Sequence, residues 1–297
     1  MSKTLKNALL VFAGGWCYGF ITPLVKIGHS MGFSSTELMA IQYLVGILVL
    51  GIAFLVIGRP KISLRQMLKL VGVGVIAAGV SFSYYNALAL LSSAAALTLL
   101  FQFVWMGVLL QTIRERKLPD RFSILAVLLI LCGTVLAARI LEPQEIPFNM
   151  PGVFFGLLSA IFYTAFLHFS GKIATELPTI SRTLFTSLGS LLTTLCFAPS
   201  AFFGGALFKE SAWFGIPLAL VGIVVPVLLI QKGAPHIPDG ATTIMASSEL
   251  PSGILMAALF IGDAITVLEL AGVVIILGGI VLSQKNSLRP HQKAAEP

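Results

Sequence analysis

Apolar residues run along this chain in ten blocks, at roughly 7–26, 36–57, 67–90, 94–113, 122–139, 151–171, 182–203, 212–231, 240–261 and 266–283. Each is close to the ~20 residues that an α-helix needs to cross a bilayer. The joins carry helix-start chemistry. Ser34-Ser35-Thr36-Glu37 fits a capping box opening the second block, and Thr266-Val267-Leu268-Glu269 fits one opening the tenth. Pro119 sits in a polar turn before the fifth. The first block follows Lys3 and Lys6, as a signal peptide would. It is too long for an h-region, however, runs through Pro23 to Lys26, and has no small-x-small site after it. It reads as a retained first span.

Composition sharpens this picture. Only 10% of the 297 residues are charged and 57% are hydrophobic, against about 25% charged in a soluble domain. That excludes an ordinary cytosolic enzyme, a disordered chain and a secreted disulfide scaffold. The net charge of +7 does not point to nucleic acid, because the basic residues punctuate the gaps between blocks instead of clustering on one face. Their distribution orients the chain. With the N-terminus inside, sixteen of the 19 Lys and Arg fall in inside segments, and only Lys26, Arg139 and Lys209 fall outside. By the positive-inside rule both termini are expected in the cytoplasm. Cys17, Cys132 and Cys196 all lie within apolar blocks and read as small hydrophobes, neither disulfides nor metal ligands.

The chain also resembles itself. At an offset of 146 residues Lys26 pairs with Lys172, Gly133 with Gly279, and Val135-Leu136 with Val281-Leu282, while Trp16 aligns with Phe162. Two units follow, 1–146 and 147–297, each of five spans. An odd span number makes the second copy enter from the opposite side, so the repeats are inverted. That plan recurs in secondary transporters, with the binding site near the bilayer midplane where the repeats meet.

Several residues could carry chemistry there. Glu249 is the only ionisable residue near the middle of any span. A charge at that depth costs about 2.5–3.5 kcal/mol on insertion scales, a cost a carboxyl escapes by holding a proton or meeting a cationic group. It is the candidate for proton coupling. Thr242, Met245 and Ser252 share its stripe at helical spacing, which favours a cavity-facing position. Pro226 and Pro251 interrupt spans eight and nine, whereas their counterparts are Val80 and Trp105; they are candidate hinges, with only the second half expected to be broken. Gln102 and Trp105 lie three apart on span four, with Thr98 four residues before Gln102. Tyr85 shares a face of span three with Ser81, Tyr163 a face of span six with Ser159 and Phe166, and Trp16 lies mid-span. Aromatic rings with polar handles suit amphipathic cargo. Gln231 closes span eight and joins the cavity candidates. His168, near the end of span six, reads as an interface residue, and Lys26 and Lys172 read as snorkelling anchors.

The segment Gly14-Gly15-Trp16-Cys17-Tyr18-Gly19 leading to Lys26 resembles the first-helix signature of EamA-type members of the drug/metabolite transporter superfamily. Arg114-Glu115-Arg116-Lys117-Leu118 resembles the end of that family's fourth helix. Ser248-Glu249-Leu250-Pro251, Gly262-Asp263, Gly272 and Gly278-Gly279-Ile280-Val281-Leu282 resemble its last two helices. The resemblance implies ten spans in a 5+5 repeat and export or uptake of small organic metabolites, drugs or amino acids.

Two rival classes are weighed. For an intramembrane aspartyl protease, Gly262-Asp263 lacks a second intramembrane Asp. Leu250-Pro251-Ser252-Gly253 has no nearby His for serine chemistry, the four His show no metal-ligand spacing, and no Walker A loop is present. A passive scaffold gains nothing from two-sided symmetry. The sequence therefore implies an all-α integral membrane protein of ten transmembrane helices, working by alternating access. It needs no cofactor or metal, and its partners are a small-molecule substrate, membrane lipid and candidate protons. Monomer and homodimer are both left open.

Overall fold

The computed structural model describes residues 3–57, 60–137, 149–203, 213–261 and 266–287; Arg59, Arg139, Lys209, Gly262, Asp263, Arg289 and Lys293 lie outside them. Every regular element among the described residues is helical. The first half contains α1 (Lys3–Tyr18), α2 (Ile21–Ser30), α3 (Ser35–Ile57), α4 (Leu64–Leu90), α5 (Ser93–Leu100), α6 (Phe103–Glu115) and α7 (Arg121–Ala137). The second contains α8 (Met150–Ser170), α9 (Thr179–Phe197), α10 (Ser200–Phe203), α11 (Gly215–Ala219), a π-helical turn (Leu220–Val224), α12 (Val225–Gly233), α13 (Asp239–Ala246), α14 (Glu249–Ile261) and α15 (Val267–Ser287).

Seven stretches are long and apolar enough to cross a membrane: Lys3–Ser30, Ser35–Val56, Leu64–Leu90, Ala95–Glu115, Met150–Ser170, Gly215–His236 and Asp239–Phe260. Arg121–Leu136 and Val267–Ser283 are shorter apolar helices. α9 has the length but carries eight Ser and Thr among 19 residues. Those hydroxyls do not expose the helix to water. Thr183, Thr193 and Thr194 bond back to carbonyls one turn earlier at 2.7–3.0 Å, a polar use that needs no solvent. Outside the bundle, Leu48, Leu55, Leu128, Phe154 and Val274 stand exposed, an apolar coat suited to lipid and not to water.

The expected caps are present. The Ser34 N–H donates to Glu37 Oε2 at 2.7 Å, and the Thr266 N–H to Glu269 Oε2 at 2.6 Å. Ser63 and Gln66 form a further capping box at the start of α4.

Helix breaks occur in both halves, which corrects the expectation that only the second is interrupted. α5 and α6 part at Phe101–Gln102, 146 residues before α13 and α14 part at Ser247–Ser248. No proline is needed in the first. The Gln102 N–H turns to Leu99 O at 3.3 Å, tightening the turn. The Gln102 side-chain amide donates to Thr98 O at 3.1 Å instead, filling the place its own backbone left. In the second break Pro251 has no N–H to give Ser247 O, and Leu250 N–H reaches that carbonyl at 3.4 Å. A third break parts α1 from α2 at Gly19–Phe20. There the Phe20 N–H turns to Cys17 O, and the Ser252 hydroxyl donates to Trp16 O at 2.5 Å. Ser248 does the same for Phe12 O at 2.6 Å. These contacts require close backbones. A Cβ at Gly19 would lie 2.5 Å from Gly253 N, and one at Gly15 would lie 2.5 Å from Ala246 O, so these two glycines of the first-helix signature serve the contact with α14 and α13, while Gly14 packs against Ile230 and Pro226 of α12.

The most extensive helix contacts run between halves: α7 with α15, α4 with α8 and α9, α1 with α12, α3 with α9, and α6 with α13. Exchanging each span for its counterpart in the other half maps α4–α9 onto the contact of α11 with α3, and α3–α9 and α6–α13 onto themselves. The α4–α8 contact becomes the α12–α1 contact, and α7–α15 becomes itself.

Candidate functional site

An interior cavity sits where the halves meet. Each half contributes nine of its lining residues. Tyr18 ends α1, Ile21 opens α2, and Tyr43 comes from α3. Ser81, Tyr84 and Tyr85 project from α4, and Leu100 closes α5. Tyr163 and Phe166 come from α8, Thr186, Ser187 and Ser190 from α9, Gly222 and Ile223 from the π turn, and Glu249 from the first turn of α14. The cavity has a volume of about 60 Å³, space for about four to six waters at 10–15 Å³ each.

Tyrosine dominates this wall. All five tyrosines of the chain line it. Three are pinned by their hydroxyls: Tyr43 to Ser81 at 2.9 Å, Tyr84 to Thr22 at 2.8 Å, and Tyr85 donating to Gln42 Oε1 at 2.5 Å. Tyr18 meets Tyr163 edge-on at 5.9 Å between centroids, and Phe103 tilts against Tyr163 at 4.7 Å. Glu249 is 4% exposed, and its Oε2 has no hydrogen-bond partner. The Tyr163 hydroxyl, from the same wall, is likewise buried without a partner. No Lys, Arg or His is among the described lining residues.

The other sequence candidates lie elsewhere. Gln231 is one layer behind the wall. Its amide donates to Thr186 at 3.1 Å, its Oε1 accepts from Thr183 at 3.1 Å, and its carbonyl accepts from Arg182 at 2.6 Å. Pro226 follows the π turn and is buried against α1; Pro251 is buried in the first turn of α14. Trp16 stacks on Phe12 and is not a lining residue. Trp105 is 38% exposed on the outer surface, its Nε1–H donating to Gln102 Oε1 at 2.9 Å; neither lines the cavity. Thr242 and Ser252 bond to backbone carbonyls instead of facing the cavity. Spans two and seven, absent from the expected wall, supply Tyr43 and the α9 hydroxyls.

A second polar cluster lies at one end of the bundle. Asp239 Oδ2, at the start of α13, meets Arg114 Nη1 at 2.9 Å, Lys172 Nζ at 2.7 Å and His168 Nδ1 at 3.1 Å. Arg182 caps the ends of α8 and α12 by donating to the carbonyls of Ser170 and Gln231.

Comparison with known proteins now bears on these features. The EamA-like transporter family matches residues 5–139 and 150–284. The chain belongs to that family. The two matched segments are displaced by 145 residues at both ends, one residue from the internal offset. A solved structure described only as "Crystal structure of protein" superposes with a TM-score of 0.72 at 16% identity, covering 93% of this chain and 96% of that one. That likeness speaks to the fold alone. No curated protein matches. The EamA-like chain is thus a multi-pass membrane protein of a transporter family, with a repeated layout and a cavity between its repeats.

Proposed function

We propose that this protein is a secondary transporter that moves a small organic molecule across the cytoplasmic membrane by alternating access. Ten spans carry it: the seven long apolar stretches, the shorter α7 and α15, and the hydroxyl-rich α9. The halves 1–146 and 147–297 stand inverted to each other, with both termini in the cytoplasm. Contacts at one end of the bundle support the alternation. The end of α6, the end of α8 and the start of α13 meet at Asp239, and Gln66 before the middle of the first half reaches Glu176 after α8 at 2.7 Å.

One observation carries the reading: a buried carboxyl without a basic neighbour, in a cavity built equally by two repeats. A passive scaffold has no use for it, because an unsatisfied buried polar atom costs about 1–3 kcal/mol. An enzyme would need a second reacting group, and the lining supplies only hydroxyls and rings. In alternating access the carboxyl exchanges a proton with each side in turn, so Glu249 sets the pH dependence of transport. Flux in proteoliposomes under an imposed pH gradient tests this. Glu249→Gln is expected to abolish gradient-driven flux; an unchanged rate and pH profile would remove Glu249 from the mechanism.

A further inference from the structure

Resting on the transport reading, we propose that the cavity selects small organic cations, amines in particular, over zwitterions and anions of the same size and shape. The argument starts from charge. Among the described lining residues Glu249 is the one carboxyl, and no Lys, Arg or His stands with it. An ammonium can pair with its carboxylate, whereas an anion would meet the same carboxylate with no cation to offset it. A zwitterion satisfies only its amine. Arg182, on α9 itself, is buried but does not line the cavity, and its two terminal nitrogens donate to the carbonyls of Gln231 and Ser170. The N-terminus of α14, which could attract an anion, already has the Glu249 side chain in its first turn.

Hydrogen bonding points the same way. Of the two lining atoms without a partner, Glu249 Oε2 accepts when ionised and the Tyr163 hydroxyl can accept as well as donate. An ammonium is a donor without acceptors, so it fits both. The Tyr85 hydroxyl spends its proton on Gln42 and has none to offer an anion. The rings add a further selection. Tyr18 from α1, Tyr84 from α4 and Tyr163 from α8 line the same cavity as Glu249. Aromatic faces attract cations and repel anions. That the chain places every tyrosine it has around one acid gives a cage for a positively charged group.

The test uses three probes that share a phenyl ring and differ in charge: phenethylamine, phenylalanine and 3-phenylpropionate. Calorimetric titration of the purified full chain in detergent should show phenethylamine binding at least tenfold more tightly than the other two, and Glu249→Gln should lose that preference. Tyr163→Leu should weaken phenethylamine more than Tyr163→Phe does. Equal or tighter binding of the zwitterion or the anion would overturn the proposal. Should Glu249→Gln fail to fold, the wild-type chain still answers. Modification of Glu249 by dicyclohexylcarbodiimide, mapped by mass spectrometry, should be slowed by phenethylamine and not by phenylpropionate; equal protection by both would overturn it. Flux separates the two readings. Amine binding without flux supports the cation site and removes the transporter; flux of phenylalanine or phenylpropionate without amine binding keeps the transporter and removes the cation site.

Discussion

Two carboxylates stand at the two helix starts of span nine, ten residues apart, and the protein treats them oppositely. Asp239 opens α13 and receives Arg114, Lys172 and His168 on a single oxygen. Glu249 opens α14 and has no cation in its wall and an unpartnered oxygen. The residue type is nearly the same, and both sit where a helix dipole favours negative charge. The difference lies in who completes the charge. At Asp239 the protein does so, tying α6 of the first half to α8 and α13 of the second. At Glu249 it leaves the place open, which is a cost unless something arriving from outside completes it.

The comparison can be broken most severely at Glu249. The Glu249→Gln variant is expected to fold, because it removes a charge the protein does not pair, while losing nearly all gradient-driven flux. A variant that melts far below the wild type would mean that the carboxyl is structural. Asp239→Asn should behave in the reverse way. It leaves Arg114 and Lys172 without a counter-charge, at a cost of about 1–2 kcal/mol, since Arg114 is half exposed and solvent screens the pair. A lower melting midpoint with cargo binding retained is expected; loss of binding with an unchanged midpoint would move Asp239 into the site. Trp105→Ala sharpens the boundary of the cavity. From its outward position it should change cargo affinity by less than about twofold, whereas Tyr85→Ala should weaken it by about tenfold, as a buried aromatic contact does. The smallest effect is expected at Glu176, outside the spans. Its own backbone N–H and the Gln66 amide hold its carboxyl below the usual carboxylate range. A depressed folded value contributes stability above the unfolded one and loses it as pH falls through the folded one. Glu176→Gln should therefore differ slightly from wild type at pH 7 and not at all in acid, read as melting midpoints.

How far the sequence could be read depends on the kind of signal. The apolar blocks were legible because lipid imposes length and composition on every span. Even α9, whose hydroxyls lower its hydropathy, falls in the seventh block. The caps at Ser34 and Thr266 were legible because their chemistry is local. Glu249 was legible because an acid at mid-span is conspicuous. Tyr18, Tyr43 and Tyr84 were not singled out, since residues from three helices share a wall only after the helices pack. A signal was present all the same: five tyrosines in 297 residues, all within apolar blocks. Trp105 and Gln102 stand off this cavity wall for a different reason. Spacing along an unbroken helix puts them on one face with Thr98, but the tightened turn at Phe101–Gln102 resets the helical phase and spends the Gln102 amide on Thr98. Asp239 was overlooked because its three partners come from 67 to 125 residues away.

Access to the cavity from each side of the membrane tests the central claim most directly. In a chain with Cys17, Cys132 and Cys196 replaced, a single cysteine at Ser187, on the cavity wall, would be exposed to a membrane-impermeant thiol reagent added to one face or the other. Modification from both faces, in proportions that shift with cargo, is the predicted result. Modification from one face only, whatever the cargo and pH, would contradict a cavity that opens alternately to the two sides.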